Sequence, residues 1–171
     1  YLWRLEHRGH NWNLIMTAPV RPFALYAAKF CAMAKMAFLT QGWLLVLFLV
    51  GGKLGAGLAG FPPPEILLWL LRGAVGGLPI IAIQLLLSMV IRNFALPVLM
   101  ALGGSILGLM ATTSNAGLFW PYSLMLMGMN SNRTEDVMTG QLPGFFLSCI
   151  IFLAIFLLTA DAVLAKQDVK A

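Results

Sequence analysis

The chain is poor in charge and in cysteine, and its apolar stretches carry no acid in their middle; each shortage excludes something. Charged residues make up only 10% of the sequence and hydrophobic ones 60%, against about 25% charged in soluble domains. A soluble chain of 171 residues cannot bury that much apolar surface and still cover itself with polar atoms. A lipid-facing surface removes the conflict. The two cysteines, Cys31 and Cys149, imply no disulfide framework, and in the topology derived below they lie toward opposite faces of the bilayer, too far apart to bond. No signal peptide is visible: the first residues carry Arg4, Glu6, His7, Arg8 and His10 and no early apolar core. No carboxylate falls in the middle of an apolar run, which argues against a proton-coupled carrier, since such a carrier needs a group that loads and releases protons within the membrane.

What the sequence does contain is apolar length. Residues 36–52 lie between Lys35 and Lys53, residues 73–91 between Arg72 and Arg92, and residues 137–160 between Asp136 and Asp161; residues 93–132 form the longest uncharged run. A spanning helix needs about 20 apolar residues, and helix is the default because lipid cannot satisfy an open backbone. The first, second and fourth of these segments in chain order, with bounds 36–52, 73–91 and 137–160, each fit one span. The first helix begins near Phe23, so that Lys29 and Lys35 lie at its inner end and their long stems carry the ammonium groups to the interface. In the longest run, Phe94–Thr113 makes a good span. The cluster Thr112-Thr113-Ser114-Asn115, followed by Gly117, Trp120 and Pro121, reads as a break at an interface with Trp120 and Tyr122 as aromatic anchors. Ser123–Met129 is too short to cross and reads as a short re-entrant or surface helix.

The expected fold is therefore all-α: a polytopic transmembrane helical bundle of four spans plus one short re-entrant or outer helix. It divides into a cytoplasmic loop 1–22, a transmembrane domain 23–165 and a tail 166–171. Between spans, Gly51–Pro64 reads as an external loop, Glu65–Arg72 as a short helix at the outer surface, and Arg92-Asn93 as a tight inner turn. Arg4, Arg8, Arg21, Lys29, Lys35, Arg92, Lys166 and Lys170 fall on one side, and Lys53, Arg72 and Arg133 on the other; the richer side is cytoplasmic by the positive-inside rule. The net charge of +5 belongs to residues that flank apolar spans, so it orients the chain in a membrane and does not point to nucleic acid.

Chemistry-bearing residues are few. Gln41 and Gln84 are the main polar residues within spans; they either bond between helices or line a substrate path. Met125, with Met127 and Met129, is adaptable packing or a substrate contact. Arg72 and Asp161 sit near span ends, where they reach water. The pairs Ala28/Ala32, Gly73/Gly77 and Gly104/Gly108 have the spacing that lets helices approach closely in lipid. His7 and His10 have no further ligand at metal spacing, so no metal site is expected. Gly51-Gly52-Lys53-Leu54 lacks the first glycine and the Ser/Thr of a phosphate loop. Ser88, Ser105 and Ser148 have no base nearby in sequence. The chain is not read as an enzyme, and any ATP hydrolysis belongs to another chain.

The most informative segment is residues 1–30. It is basic, and Trp12, Ile15 and Met16 recur at helical spacing after a cap at Asn11, with Pro19 and Pro22 ending the short helix before the first span. The stretch from Glu6 to Pro22, with Pro19-Val20, Tyr26 and Lys29, resembles the first cytoplasmic loop of ABC-2-type permeases, most closely the bacitracin-resistance and lantibiotic-immunity branch. The later layout is also similar, and the resemblance covers most of the chain. It implies a coupling helix that docks on an ATP-binding subunit, with Glu6, His7, Arg8, Trp12 and Pro19 as contacts. It also implies a second permease subunit, identical or a sibling, a bacterial cytoplasmic-membrane location, and ATP and magnesium held by the partner, with no cofactor in this chain. Such permeases have six membrane segments, and this chain, which starts at Tyr1, is expected to lack the first. The other readings are a non-transporting immunity or scaffold protein that sequesters a toxin, and an ion-coupled carrier.

Overall fold

A computed structural model describes residues 21–91, 93–114, 116–131, 133, 135, 136 and 138–166. Helix α1 is Pro22–Val50, α2 is Glu65–Val90, α3 is Ala95–Thr113, the short α4 is Ser123–Gly128, and α5 is Leu142–Lys166. All but α4 are long and apolar enough to cross a membrane. The all-α polytopic bundle expected from the sequence is the fold observed.

Local signals set the helix ends. Pro22 opens α1, where its missing N–H costs nothing and its fixed φ suits the first turn. At the far end Gly51–Gly55 continues as a wider π-type turn, allowed by glycines that hold the α form weakly. Glu65 in the first turn of α2 complements the positive helix end. Asn93 Oδ1 accepts the Ala95 N–H at 2.9 Å, satisfying one of the free donors at the start of α3. Asn130, with φ of 51°, reverses the chain after α4 in a conformation that asparagine tolerates better than most residues.

Alternating helices run antiparallel, so the bundle has a terminal end (Pro22, Ile91–Phe94, Lys166) and a loop end (residues 51–64 and 114–141). At the terminal end Tyr26, Leu85, Met89, Ala160 and Leu164 form one buried cluster. At the loop end Leu124, Met138, Phe145 and Cys149 form another. The Tyr26 hydroxyl donates to the Ala82 carbonyl at 2.8 Å, tying α1 to α2.

Two expectations change here. Glu65–Arg72 is not a separate surface helix; it is the first two turns of α2. After α3 the change concerns the aromatic residues. A 3₁₀ turn at Gly117–Phe119 and α4 form a hairpin that enters the bundle, the re-entrant of the two forms expected. Trp120 Nε1 donates to the Gly104 carbonyl at 2.9 Å, and Gly104 lies about 13 Å along α3 from Thr113 at 1.5 Å per residue. Half-buried Trp120 and buried Tyr122 therefore pack at the level of Gly104, well inside the length of α3, and do not serve as anchors at its end.

Glycines admit the hairpin. A Cβ at Gly104 would lie 2.7 Å from the Tyr122 ring, and one at Gly76 would lie 2.5 Å from the Leu124 carbonyl oxygen. A Cβ at Gly128 would lie 2.6 Å from the Arg72 carbonyl oxygen. Gly73 faces Met129, and Gly77 faces Met125. The small-residue pairs of α2 and α3 thus seat the hairpin, while Ala28 and Ala32 of α1 are exposed within this chain.

Candidate functional site: a polar cluster between α1, α2 and the hairpin

Charge and hydrogen-bonding capacity gather at the loop end. Arg72 is only 3% exposed and its Nη2 lies 2.8 Å from Asp136 Oδ2, a salt bridge between α2 and the loop before α5. Trp69 Nε1 donates to the same oxygen at 3.3 Å, and Asp136 Oδ1 accepts the Met138 N–H at 2.9 Å. Burial pushes the Asp136 carboxyl up, but the bonds from Arg72, the Met138 N–H and Trp69, with the Arg72 charge, outweigh it and hold the group below its ordinary value. The buried arginine is therefore matched by a carboxylate that stays ionised, the arrangement that lets a charge persist away from water.

Gln41 of α1 reaches the same region. It is buried, and its Nε2 donates to Met129 Sδ at 3.5 Å. Two atoms of the cluster, Gln41 Oε1 and Arg72 Nε, are buried without a hydrogen-bond partner. Unmet polar groups of this kind are costly, so a rearrangement that gives these two atoms partners is favoured.

Deeper along α2, Gln84 Nε2 donates to the Tyr122 hydroxyl at 2.5 Å. Between the two polar levels Pro79 is buried inside α2, and it lacks the N–H that would bond the Val75 carbonyl. With Gly73, Gly76 and Gly77 just before it, this is the stretch of α2 least held by its own backbone.

Of the sequence-predicted residues, Gln41 and Gln84 meet the hairpin, Gln41 through Met129 and Gln84 through Tyr122, and Met125 belongs to the hairpin and faces Gly77 of α2. Glu6, His7, Arg8, Trp12 and Pro19 lie outside the described residues. Arg72 was expected to reach water at a span end; it is buried, because Asp136 and Trp69 supply the polar contacts water would give. Its signal was present in the sequence: Ile66–Leu71 is as apolar as the residues after Arg72, so a single charge interrupts one longer run. Among the described residues no three His, Cys, Asp or Glu side chains gather as metal ligands.

The sequence profile of the ABC-2 family transporter proteins matches residues 1–108. That is more than half of the chain, and the chain belongs to this family. No curated protein and no solved structure matches it. Membership makes the chain a membrane component of a transporter, and its four apolar helices make it a multi-pass membrane protein.

Proposed function

We propose that the chain is the permease subunit of an ABC exporter in the bacterial cytoplasmic membrane. It moves a peptide antibiotic, of the lantibiotic or bacitracin kind, or another amphiphile out of the membrane. ATP and magnesium are bound by a separate ATP-binding subunit, and a second permease, identical or a sibling, completes the path. The observation that carries this reading is the family match over residues 1–108, which takes in the basic, tryptophan-bearing segment, α1, α2 and most of α3.

The geometry supports a mechanical route. Residues 1–21 lead into α1 at Pro22, so force at Glu6, His7, Arg8, Trp12 and Pro19 enters a continuous helix. That helix is tied to α2 by the Tyr26–Ala82 bond near one end and to the hairpin by Gln41–Met129 further along. A push on α1 thus reaches both partners at different depths. The transporter alternates between two helix packings that ATP biases, and the Arg72–Asp136 pair holds the loop end in the packing described above.

The test is the double variant Glu6→Ala with Trp12→Ala, expressed with the ATP-binding subunit. The expected result is loss of co-purification and of transport, with the chain still inserted in the membrane. Full assembly and transport by this variant refute the coupling role.

A further inference from the structure

Helix α1 carries a charge at mid-depth. Tyr26 meets α2 at Ala82, and Gln41 lies beside Gly73. Lys35, nine residues after Tyr26 and six before Gln41, is therefore level with the stretch of α2 near Gly77. That is the middle of Glu65–Val90, not the inner end expected from the sequence. Helix α2 is ~39 Å long at 1.5 Å per residue, against ~30 Å of hydrocarbon. Wherever a helix of that length spans, its middle stays about 10 Å or more from either interface. A lysine stem extends about 6 Å, so the Lys35 ammonium does not reach headgroup level.

Lys35 also points away from the bundle. Nine residues make two and a half turns, which sets it opposite Tyr26, and it is exposed. Among the described residues no carboxylate lies within ion-pair distance of it; the described ion pair is Arg72–Asp136. A lone cation facing hydrocarbon at this depth is costly, and such groups mark a partner, a cavity or a path. The side of α1 around it is hollow. Ala28, Cys31 and Ala32 are exposed just before it, and Gly42, two turns further on, has nothing near it. Phe38 and Leu39 flank the hollow and are 41% and 57% exposed.

Charge decides the occupant. A second copy seated on this side by a two-fold axis along the membrane normal brings its own Lys35 to the same depth, and like charges held together away from water repel. Such a copy has no acid to offer there. None occurs between Glu6 and Glu65, Asp136 is taken by Arg72, and Asp161 lies toward the terminal end, next to Ala160 of the Tyr26 cluster. A neutral amphiphile leaves the ammonium unmet, and a cationic one adds to its charge. An amphiphile with an anionic headgroup meets both the ammonium and the apolar side chains beside it.

We propose that Lys35 lines the transport path and receives the phosphate or carboxylate headgroup of the transported amphiphile, whose chain lies against Phe38 and Leu39. This inference rests on the permease reading and narrows its substrate to anionic amphiphiles.

The test reconstitutes the full chain with its ATP-binding subunit in phosphatidylcholine vesicles. These hold a trace of tail-labelled fluorescent phosphatidic acid or phosphatidylcholine with identical chains, and dithionite quenching follows ATP-driven movement between leaflets. Phosphatidic acid is expected to move about tenfold faster, the discrimination one charge-assisted hydrogen bond supports. Lys35→Gln removes that preference, Lys35→Arg keeps it, and Lys53→Gln leaves it unchanged. Lys35→Cys, made with Cys31→Ser, is expected to react with a membrane-impermeant thiol reagent, and phosphatidic acid slows the reaction. Equal movement of the two lipids by the wild type, movement of neither despite ATP hydrolysis, or a preference that survives Lys35→Gln overturns the proposal and leaves the permease reading standing. So does a disulfide between two Lys35→Cys chains in place of labelling, which makes this side of α1 a seam between copies. A wild type that fails to assemble with the ATP-binding subunit overturns the permease reading itself, and this inference with it.

Discussion

Helices α1 and α2 are similar in length and hydropathy, yet they occupy opposite situations. Only 6% of the most apolar stretch of α1 is buried within the chain, against 39% of that of α2. The difference lies in small residues and not in apolar content. Gly73, Gly76 and Gly77 open α2 to the hairpin, and Ala74, Ala82 and Leu85 are buried along it. On α1 only Tyr26 and Gln41 are buried, and Gly42 has nothing near it. In lipid, apolar side chains gain little by leaving the bilayer for a neighbouring helix, so close backbone approach and hydrogen bonds decide which helix is wrapped. The unwrapped face of α1 is therefore free to meet lipid or the second permease proposed above.

The largest test of this contrast is a pair of glycine substitutions. Gly76→Val drives a methyl into the Leu124 backbone and is expected to cost about 3 kcal/mol or more; Gly42→Val on α1 should cost under about 1 kcal/mol. Thermal unfolding of both variants in detergent measures the difference, and equal melting temperatures would show that the hairpin does not sit in the α2 groove.

Next in size is the ion pair. Asp136→Ala leaves Arg72 charged and buried, and is expected to cost about 3 kcal/mol. Adding Arg72→Met should restore most of that loss, because it removes the stranded charge. A double variant no more stable than Asp136→Ala alone would contradict the account of Arg72. The pH dependence follows from the same group. The Asp136 carboxyl is held below its ordinary value in the folded chain, so its contribution is complete above the ordinary carboxylate range. It is lost as pH falls through the lower, folded value. A melting temperature flat from neutral pH to about 5, falling below about 4, is the expected profile, and Asp136→Asn should flatten the acid limb.

Smaller still, Tyr122→Phe removes the partner of Gln84 and should cost about 1 kcal/mol. Trp43→Ala, on the exposed face of α1, should change the stability of the isolated chain by less than about 0.5 kcal/mol. A large loss there would place the helix in a contact within the chain and erase the contrast with α2.

Much of the bundle was legible beforehand. Phe94–Thr113 is observed as Ala95–Thr113, and the helix expected from near Phe23 begins at Pro22. The errors share a cause. Counting uncharged residues stops a span at Arg72, and reading tryptophan and tyrosine as interfacial puts Trp120 and Tyr122 at the surface. Both rules assume that polar groups must find water. Here they find Asp136, the Gly104 carbonyl and Gln84 instead, and nothing local in the sequence names those partners. Gln41 and Gln84 were legible as polar residues within spans, but not as two anchors of one hairpin.

The number and order of the membrane spans follow from the sequence by itself, because lipid forces every apolar run of sufficient length to close its own hydrogen bonds. How deep the hairpin enters and whether Arg72 is buried were decided only in the tertiary structure. Each depends on groups distant along the chain, a carboxylate from the loop before α5 and glycines on two helices, that meet only once the helices have packed.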